Sequence, residues 1–94
     1  MALFVMGRIC ATRAVVDRMN VSRSFKKFVK ESFEKYSICD WGNLSEYDIA
    51  RNEYSVFHGE RILAKYIWSA TGESIYIITE ADRSVTTILF TEEY

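Results

Sequence analysis

Residues 74–90, with the sequence SIYIITEADRSVTTILF, decide the fold of this chain. Two runs rich in β-branched and aromatic residues, 74–80 and 85–90, flank the polar segment 81–84. Alternation along the first run places Ile75, Ile77 and Thr79 on one face and Tyr76, Ile78 and Glu80 on the other. A period of two with a short polar connection predicts a β-hairpin.

A third strand is predicted immediately before this hairpin. Residues 61–68 form another apolar run, and Thr71 with Gly72 supplies the turn that reverses the chain. Because the connections are short, neighbouring strands must run in opposite directions. The last third of the chain is therefore predicted to be an antiparallel meander.

A helix is predicted over residues 24–36, with Ser22 or Ser24 as its N-cap. Its apolar residues recur at helical spacing and form one stripe. They are Phe25, Phe28, Val29, Phe33 and Tyr36. Lysines and glutamates occupy the remaining positions, so one side of this helix is expected to face the core and the other to face water.

A second helix follows the turn predicted at residues 40–43. Ser45 is its expected N-cap, and Asp48 lies three residues later as the capping-box partner. The helix is predicted to run to about Phe57, with Gly59 as its C-terminal stop.

The first element is predicted to be a strand over residues 3–12, and residues 13–21 a mixed connection. The predicted order is thus β-α-α-β-β-β. Residues 1–94 should form a single small α+β domain, with a mostly antiparallel sheet and two helices packed on one face.

Composition sets limits on this domain. Hydrophobic residues make up 49% of the 94 residues and charged residues 27%, which is an ordinary globular mixture. The apolar start at residues 1–6 is too short for a signal sequence or a spanning helix, so a cytoplasmic protein without a membrane segment is expected. Met6 is an alternative start. Cys10 and Cys39 form either a lone disulfide or two reduced thiols, and the thiols are favoured in a reducing cytosol.

Charge is distributed unevenly around the net value of −1. Lysine and arginine predominate in residues 1–36, whereas aspartate and glutamate predominate in residues 37–94. Two solvated faces that attract one another within the fold explain this pattern. A bipolar surface that docks on a charged partner is the alternative.

The sequence offers no catalytic, cofactor or metal motif. Its single histidine, His58, lies at a predicted helix end, where it is interpreted as a cap on the carbonyl groups. Cys10, Cys39 and His58 are too scattered to predict a metal site. The four glycines are isolated, so no phosphate-binding loop is predicted. The chain is therefore not expected to be an enzyme.

Two groups of polar and aromatic residues invite a binding interpretation. Glu80, Asp82 and Arg83 cluster at the hairpin tip, either as a solvated turn in which Arg83 pairs with Glu80 or as a convergent charged site. Trp41 either fills the core or is exposed as a contact residue. A further set of four arginines recurs every five residues near the start. These arginines either share no face of one helix or strand or form a phosphate-binding arm. That set is Arg8, Arg13, Arg18 and Arg23.

Several segments together resemble a known family. They are Gly7-Arg8-Ile9, Thr12-Arg13, Asp40-Trp41-Gly42 with Asp48 and Asn52, Gly59-Glu60-Arg61, residues 77–90 and Glu92-Glu93-Tyr94. They resemble small proteins from plasmids and other mobile elements of Firmicutes. Such proteins commonly carry the label plasmid-related protein or type I restriction methylase subunit.

This chain departs from the family pattern at three positions. Ala14 stands in place of glycine, Asn43 in place of aspartate and Thr91 in place of proline. None of these changes removes a candidate charged group. The methylase label finds no support, because the chain lacks a glycine-rich cofactor loop and contains no proline for an Asn-Pro-Pro-Tyr motif.

The resemblance implies a mobile-element context, in which small proteins often act against host defence. The expected function is inhibition or modulation of a host defence nuclease complex, as an anti-CRISPR or anti-restriction protein, by protein–protein binding. The partner would be a defence protein or ribonucleoprotein, and no cofactor is expected. The expected contact residues are Asp40, Trp41, Glu80, Asp82, Arg83, Glu93 and Tyr94.

Three alternatives stay open. The predicted element order is similar to that of ribonuclease toxins from toxin–antitoxin pairs, although the sheet half is acidic here. A nucleic-acid-binding accessory factor would use the basic first third of the chain. An apolar sheet face left uncovered by two short helices would favour a homodimer.

Overall fold

The computed structural model describes residues 2–94. Its element order confirms the predicted α+β class but corrects the helix count from two to three. The strands are β1 (Arg8–Ala11), β2 (Ile62–Ile67), β3 (Ser74–Thr79) and β4 (Val85–Phe90). The helices are α1 (Arg13–Val21), α2 (Arg23–Ser37) and α3 (Glu46–His58), and a short 3-10 turn follows β4 at Thr91–Glu93.

The four strands form one sheet in the order β1-β4-β3-β2. Strands β2, β3 and β4 pair antiparallel, as the meander prediction requires, with Ala64 opposite Ile77 and Ile77 opposite Ile88. Strand β1 joins β4 in parallel and sets Ala11 beside Ile88. The mostly antiparallel sheet is therefore confirmed, with one parallel pair at its edge.

Strand β1 is shorter than the predicted strand 3–12, since it begins at Arg8. Gly7 lies just before it in the left-handed region, at φ +64°. A Cβ atom at Gly7 would lie 2.4 Å from the backbone oxygens of Arg83 and Ser84. Only glycine permits both the backbone conformation and this close approach. The turn at Gly7 therefore determines where β1 starts.

The segment 13–21, predicted as a mixed connection, is helix α1. Thr12 caps it, because its hydroxyl accepts a hydrogen bond from the Val15 N–H at 3.3 Å. Val15 is buried and Met19 packs against the core at partial exposure. So short an apolar stripe is hard to recognise in the sequence, which explains the error. Ser22 then ends α1 and caps α2 directly.

Helices α1 and α2 cover one face of the sheet. The face of α2 that was predicted to be apolar supplies Phe25, Val29 and Tyr36, all of which are buried. They pack against the buried side chains of β2, β3 and β4 in one cluster. The ring of Phe25 lies 5.6 Å, centroid to centroid, from the rings of both Trp68 and Phe90. Of the two predicted helices, only α2 covers this face, and its companion there is α1, a helix that the sequence analysis did not predict.

Helix α3 lies along the outer edge of β2. The buried side chain of Asn52 donates to the Leu63 carbonyl at 2.7 Å and accepts from the Leu63 N–H at 3.2 Å. In the loop before α3, the Asn43 N–H donates to the Lys65 carbonyl at 2.7 Å, and its side chain accepts from the Ile67 N–H at 3.0 Å. These bonds occupy backbone groups that an edge strand would otherwise leave free.

A chain of buried hydroxyl groups joins the helical layer to the sheet. Tyr36 bonds Thr79 at 2.6 Å, Thr79 bonds Thr86 at 2.7 Å, and Thr86 donates to the Met6 carbonyl at 2.7 Å. Because a carbonyl only accepts, each hydroxyl must donate towards Met6, and the Tyr36 proton begins the chain. All three side chains are buried, so a break would leave a polar group without water.

We predict that Thr86→Val lowers the free energy of unfolding by about 1–3 kcal/mol, because it leaves the Met6 carbonyl and the Thr79 hydroxyl unsatisfied. Thr87→Val is the matched control, since its side chain lies on the opposite face of the same strand. Urea denaturation of the two variants measures the difference. Equal stabilities would contradict the role of the hydroxyl chain.

Alkaline pH should destabilise the fold. Burial raises the pKa of Tyr36 and of Tyr66 above that of an exposed phenol. An unfolded tyrosine ionises near pH 10. Above this pH only the unfolded state releases these protons, so the contribution of the two tyrosines to the free energy of unfolding is complete below about pH 10 and is lost above it. Urea denaturation at increasing pH should show this loss. Tyr66→Phe should make the decline shallower, and an unchanged decline would contradict the assignment.

Candidate partner-binding surface

One face of the sheet is turned away from α1 and α2. Alternation along the strands places there the residues that lie between the core-facing ones. Among them are Leu63, Lys65, Ile67, Tyr76, Ile78, Val85, Thr87 and Leu89. Most of these side chains are partly exposed, although Ile78 is buried. We call this surface the open face.

Four residues meet at one end of the open face. The rings of Tyr76 and Tyr94 lie edge to face with their centroids 5.4 Å apart. The Arg61 guanidinium donates to the Tyr94 hydroxyl at 2.7 Å, and its Nε lies 3.8 Å from the Glu80 carboxylate. We call Arg61, Tyr76, Glu80 and Tyr94 the open-face cluster. Two predicted contact residues, Glu80 and Tyr94, are thus brought together through Arg61.

The open-face cluster is partly exposed to solvent. The side chains of Arg61 and Glu80 are 43% and 46% exposed. An ion pair this exposed contributes about 0–1 kcal/mol to folding, since water screens the charges. Tyr94 is 63% exposed. Loss of these contacts would cost the fold little free energy, so the side chains can exchange them for contacts with another molecule.

Arg83 has a different role from the one expected at a simple turn. It does not pair with the Glu80 carboxylate. Its guanidinium donates to the carbonyl groups of Glu60 at 2.7 Å and Ser55 at 2.8 Å, and more weakly to those of Glu80 and Ala81. Ser55 lies in the last turn of α3. Arg83 therefore ties the β3–β4 hairpin to the carboxyl end of α3 through both of its terminal nitrogens.

Asp82 forms the turn as the solvated interpretation predicts. Its carboxylate accepts a hydrogen bond from the Ser84 N–H at 2.9 Å, and the hydrogen bonds from Ser84 lower the pKa of Asp82. The side chain is exposed. Asp82 therefore presents a fixed negative charge on the hairpin that also carries Glu80.

The other predicted contact residues do not join this surface. Trp41 is 3% exposed and packs in the core. Glu93 accepts hydrogen bonds from the Thr12 hydroxyl at 2.9 Å and the Phe90 N–H at 2.8 Å, which fixes the turn after β4. Asp40 is exposed in the loop after α2, where its carboxylate accepts weakly from the Gly42 N–H at 3.3 Å. The predicted set therefore does not form one site.

Sequence reasoning missed two members of the open-face cluster. The strand pattern placed Tyr76 on the same face of β3 as Glu80, but nothing in the sequence indicated that it contacts Tyr94. Arg61 precedes β2, and its partner Tyr94 lies 33 residues later. No local pattern links two residues so far apart, so the contact depends on how the sheet folds.

His58 fulfils the structural role expected of it. Its Nδ1 donates to the Tyr54 carbonyl at 2.8 Å in the last turn of α3, and its ring stacks on Tyr54 with centroids 3.8 Å apart. Cys10 and Cys39 are free thiols. Within residues 2–94, histidine, cysteine and acidic side chains form no group that could hold a metal ion.

The four recurring arginines lie on different elements. Arg8 is in β1, Arg13 and Arg18 are in α1, and Arg23 begins α2. Arg18 donates twice to the Glu73 carboxylate, at 2.8 and 3.0 Å, and these hydrogen bonds lower the pKa of Glu73. This bond links the basic part of the chain to the acidic part, as the two-face interpretation of the charges requires.

A groove of about 540 Å³ lies between α2 and the end of β2. Lys27, Phe28, Tyr66 and Trp68 are among its lining residues. It is open to solvent. No helix within residues 2–94 combines the length and the apolar character needed to cross a membrane.

Comparison of the chain with protein-family models, with curated proteins and with solved structures finds no match.

We predict that Arg83→Ala lowers the free energy of unfolding by about 2 kcal/mol, because it removes charge-assisted hydrogen bonds to several carbonyl groups. Arg13→Ala is the matched control. The Arg13 side chain is 94% exposed, so its loss should change stability by less than about 0.5 kcal/mol. Urea denaturation measures both values, and an equally mild effect of the two substitutions would contradict the anchoring role of Arg83.

Proposed function

We propose that this domain is a binding protein that inhibits or modulates a host defence nuclease complex by protein–protein contact. The open face is the observation that supports this most. It combines partly exposed aliphatic side chains with Arg61, Tyr76 and Tyr94 at one end. Tyrosine and arginine are enriched among the residues that dominate interface affinity. The defence context follows from the resemblance to mobile-element proteins.

Electrostatics supports a nuclease as the partner. Glu80 contributes one carboxylate to the open-face cluster, and Asp82 carries a second on the same hairpin, where hydrogen bonds from Ser84 lower its pKa. Nucleases bind phosphates with lysine and arginine. Carboxylates held on a rigid hairpin can compete for the same cations and can speed association with a basic channel.

A nucleic-acid-binding accessory factor is the second candidate. Its specific support is the position of Arg8, Arg61 and Lys65, which the strand register places on or beside the open face. Tyr76 and Tyr94 would then offer rings for base stacking. Such binding would weaken steeply as salt rises, because each phosphate contact releases counterions.

A pull-down from a nuclease-treated host lysate that contains CRISPR and restriction systems tests the proposal. We expect a defence effector at stoichiometric yield, and the purified effector should lose activity when this protein is added. Tyr94→Ala and the double reversal Glu80→Lys with Asp82→Lys should each weaken binding by about tenfold or more. Ile38→Ala and Glu31→Lys, which alter exposed residues of another region, are the matched controls.

Two results would contradict the proposal. Binding that survives both open-face variants would place the contact elsewhere. Binding that disappears with nuclease treatment and depends steeply on salt would favour the nucleic-acid candidate instead. Melting temperatures of all variants show whether any loss comes from unfolding.

A further inference from the structure

Helix α3 carries a second apolar stripe on the side that faces away from the fold. Its inner side is formed by the buried residues Asn52 and Ser55. On the outer side, Tyr47, Ala50, Tyr54 and Phe57 follow one another at spacings of three, four and three residues. All of them are exposed. This is the a/d spacing of a coiled-coil seam, and we call these residues the α3 seam.

The α3 seam places three exposed aromatic side chains on one face of a single helix. Tyr47 is 75% exposed, Tyr54 52% and Phe57 86%. With Ala50 between them, these rings line one side of the helix over about three turns, and exposed apolar patches of this kind typically mark interaction sites. The seam forms no part of the open face, so the two surfaces need different explanations.

The charges beside the seam identify its partner. In a parallel pair of helices, each residue at position g faces the residue five positions later, at position e, on the other helix. In α3, Glu46 and Glu53 occupy the g positions, and Arg51 and His58 occupy the e positions. Glu46 would therefore face Arg51, and Glu53 would face His58, in both directions. A second copy of the same helix therefore sets an opposite charge against Glu46 and against Arg51, which gives two ion pairs across the seam.

An antiparallel pairing lacks this complementarity. There, g residues face g residues and e residues face e residues, so Glu53 would meet a glutamate and Arg51 an arginine. Like charges at these positions are destabilising. The flanking charges thus favour one orientation of the two helices over the other.

We propose that α3 pairs in parallel with α3 of a second copy of this chain, through the α3 seam. Ala50 faces Ala50 of the other copy, which lets the helices approach, and the aromatic residues pack above and below. The seam is short, and its area lies below the ~800 Å² per partner of a standard interface. The homodimer is accordingly weak and concentration-dependent. The pairing goes beyond the proposed function and uses none of its residues.

Sedimentation equilibrium on the full chain, over concentrations from about 1 μM to about 1 mM, tests the pairing. The mass should rise from monomer towards dimer. Phe57→Ala should raise the dimer Kd by about tenfold or more, because it removes the most exposed ring of the seam. Val21→Ala, which shortens an exposed apolar side chain on α1, is the matched control and should leave the Kd unchanged.

A charge swap tests the register. Glu46→Lys should raise the dimer Kd by about fivefold, because each copy then sets a lysine against Arg51 of the other. The double variant Glu46→Lys with Arg51→Glu should restore the original Kd. A structural role of Glu46 within the monomer would not be rescued in this way. Circular dichroism confirms that each variant is folded.

Orientation is tested by oxidation of Ala50→Cys in a Cys10→Ser, Cys39→Ser background whose melting temperature is measured first. The parallel pair brings both copies of residue 50 together, so a disulfide-linked dimer should form. Ala14→Cys, exposed on α1, should not cross-link. A monomer at every concentration, an unchanged Kd for Phe57→Ala, or cross-linking that is equal at positions 14 and 50 would each overturn the proposal.

Discussion

The fold depends on the buried hydroxyl chain that runs from Tyr36 through Thr79 and Thr86 to the Met6 carbonyl. It connects the last turns of α2, the two central strands and the segment before β1. Thr79 and Thr86 are paired across β3 and β4, so the chain forms only in the native strand register. Apolar burial supplies most of the stability of such a core. Hydrogen bonds between the hydroxyl groups also require these side chains to take defined positions, which aliphatic packing alone does not require.

The strands and two of the helices could be predicted because their signals are local. The alternation of apolar and polar residues predicted β3 and β4. Ser45 and Gly59 predicted the two ends of α3, where Ser45 caps the helix and Gly59 adopts φ +67°. Helix α1 could not be predicted in the same way, since it buries little more than Val15. The parallel pairing of β1 with β4 joins elements far apart in sequence, and no local pattern encodes it.

The candidate site was harder to predict than the fold, because the sequence does not show which groups a charged side chain contacts. Arg83 and Glu93 have the residue types of a contact surface, yet both are engaged with backbone groups. Trp41 fills the core. Conversely, Arg61 became a candidate only when the sheet brought it to Tyr94. A side chain whose hydrogen-bonding capacity is used within the fold has less to offer a partner, and only tertiary structure shows this.

The amides of Asn43 and Asn52 along β2 have a consequence for assembly. Both side chains occupy backbone groups on the outer edge of this strand. An incoming strand would first have to displace these bonds and the loop and helix that carry them. The outer edge of β2 therefore cannot pair with a strand of another molecule, and β2 is the last strand of the sheet on this side. Of the two edges of the sheet, the β2 edge is thus closed to the open-ended addition of strands, and a contact on this side of the molecule must be made by side chains.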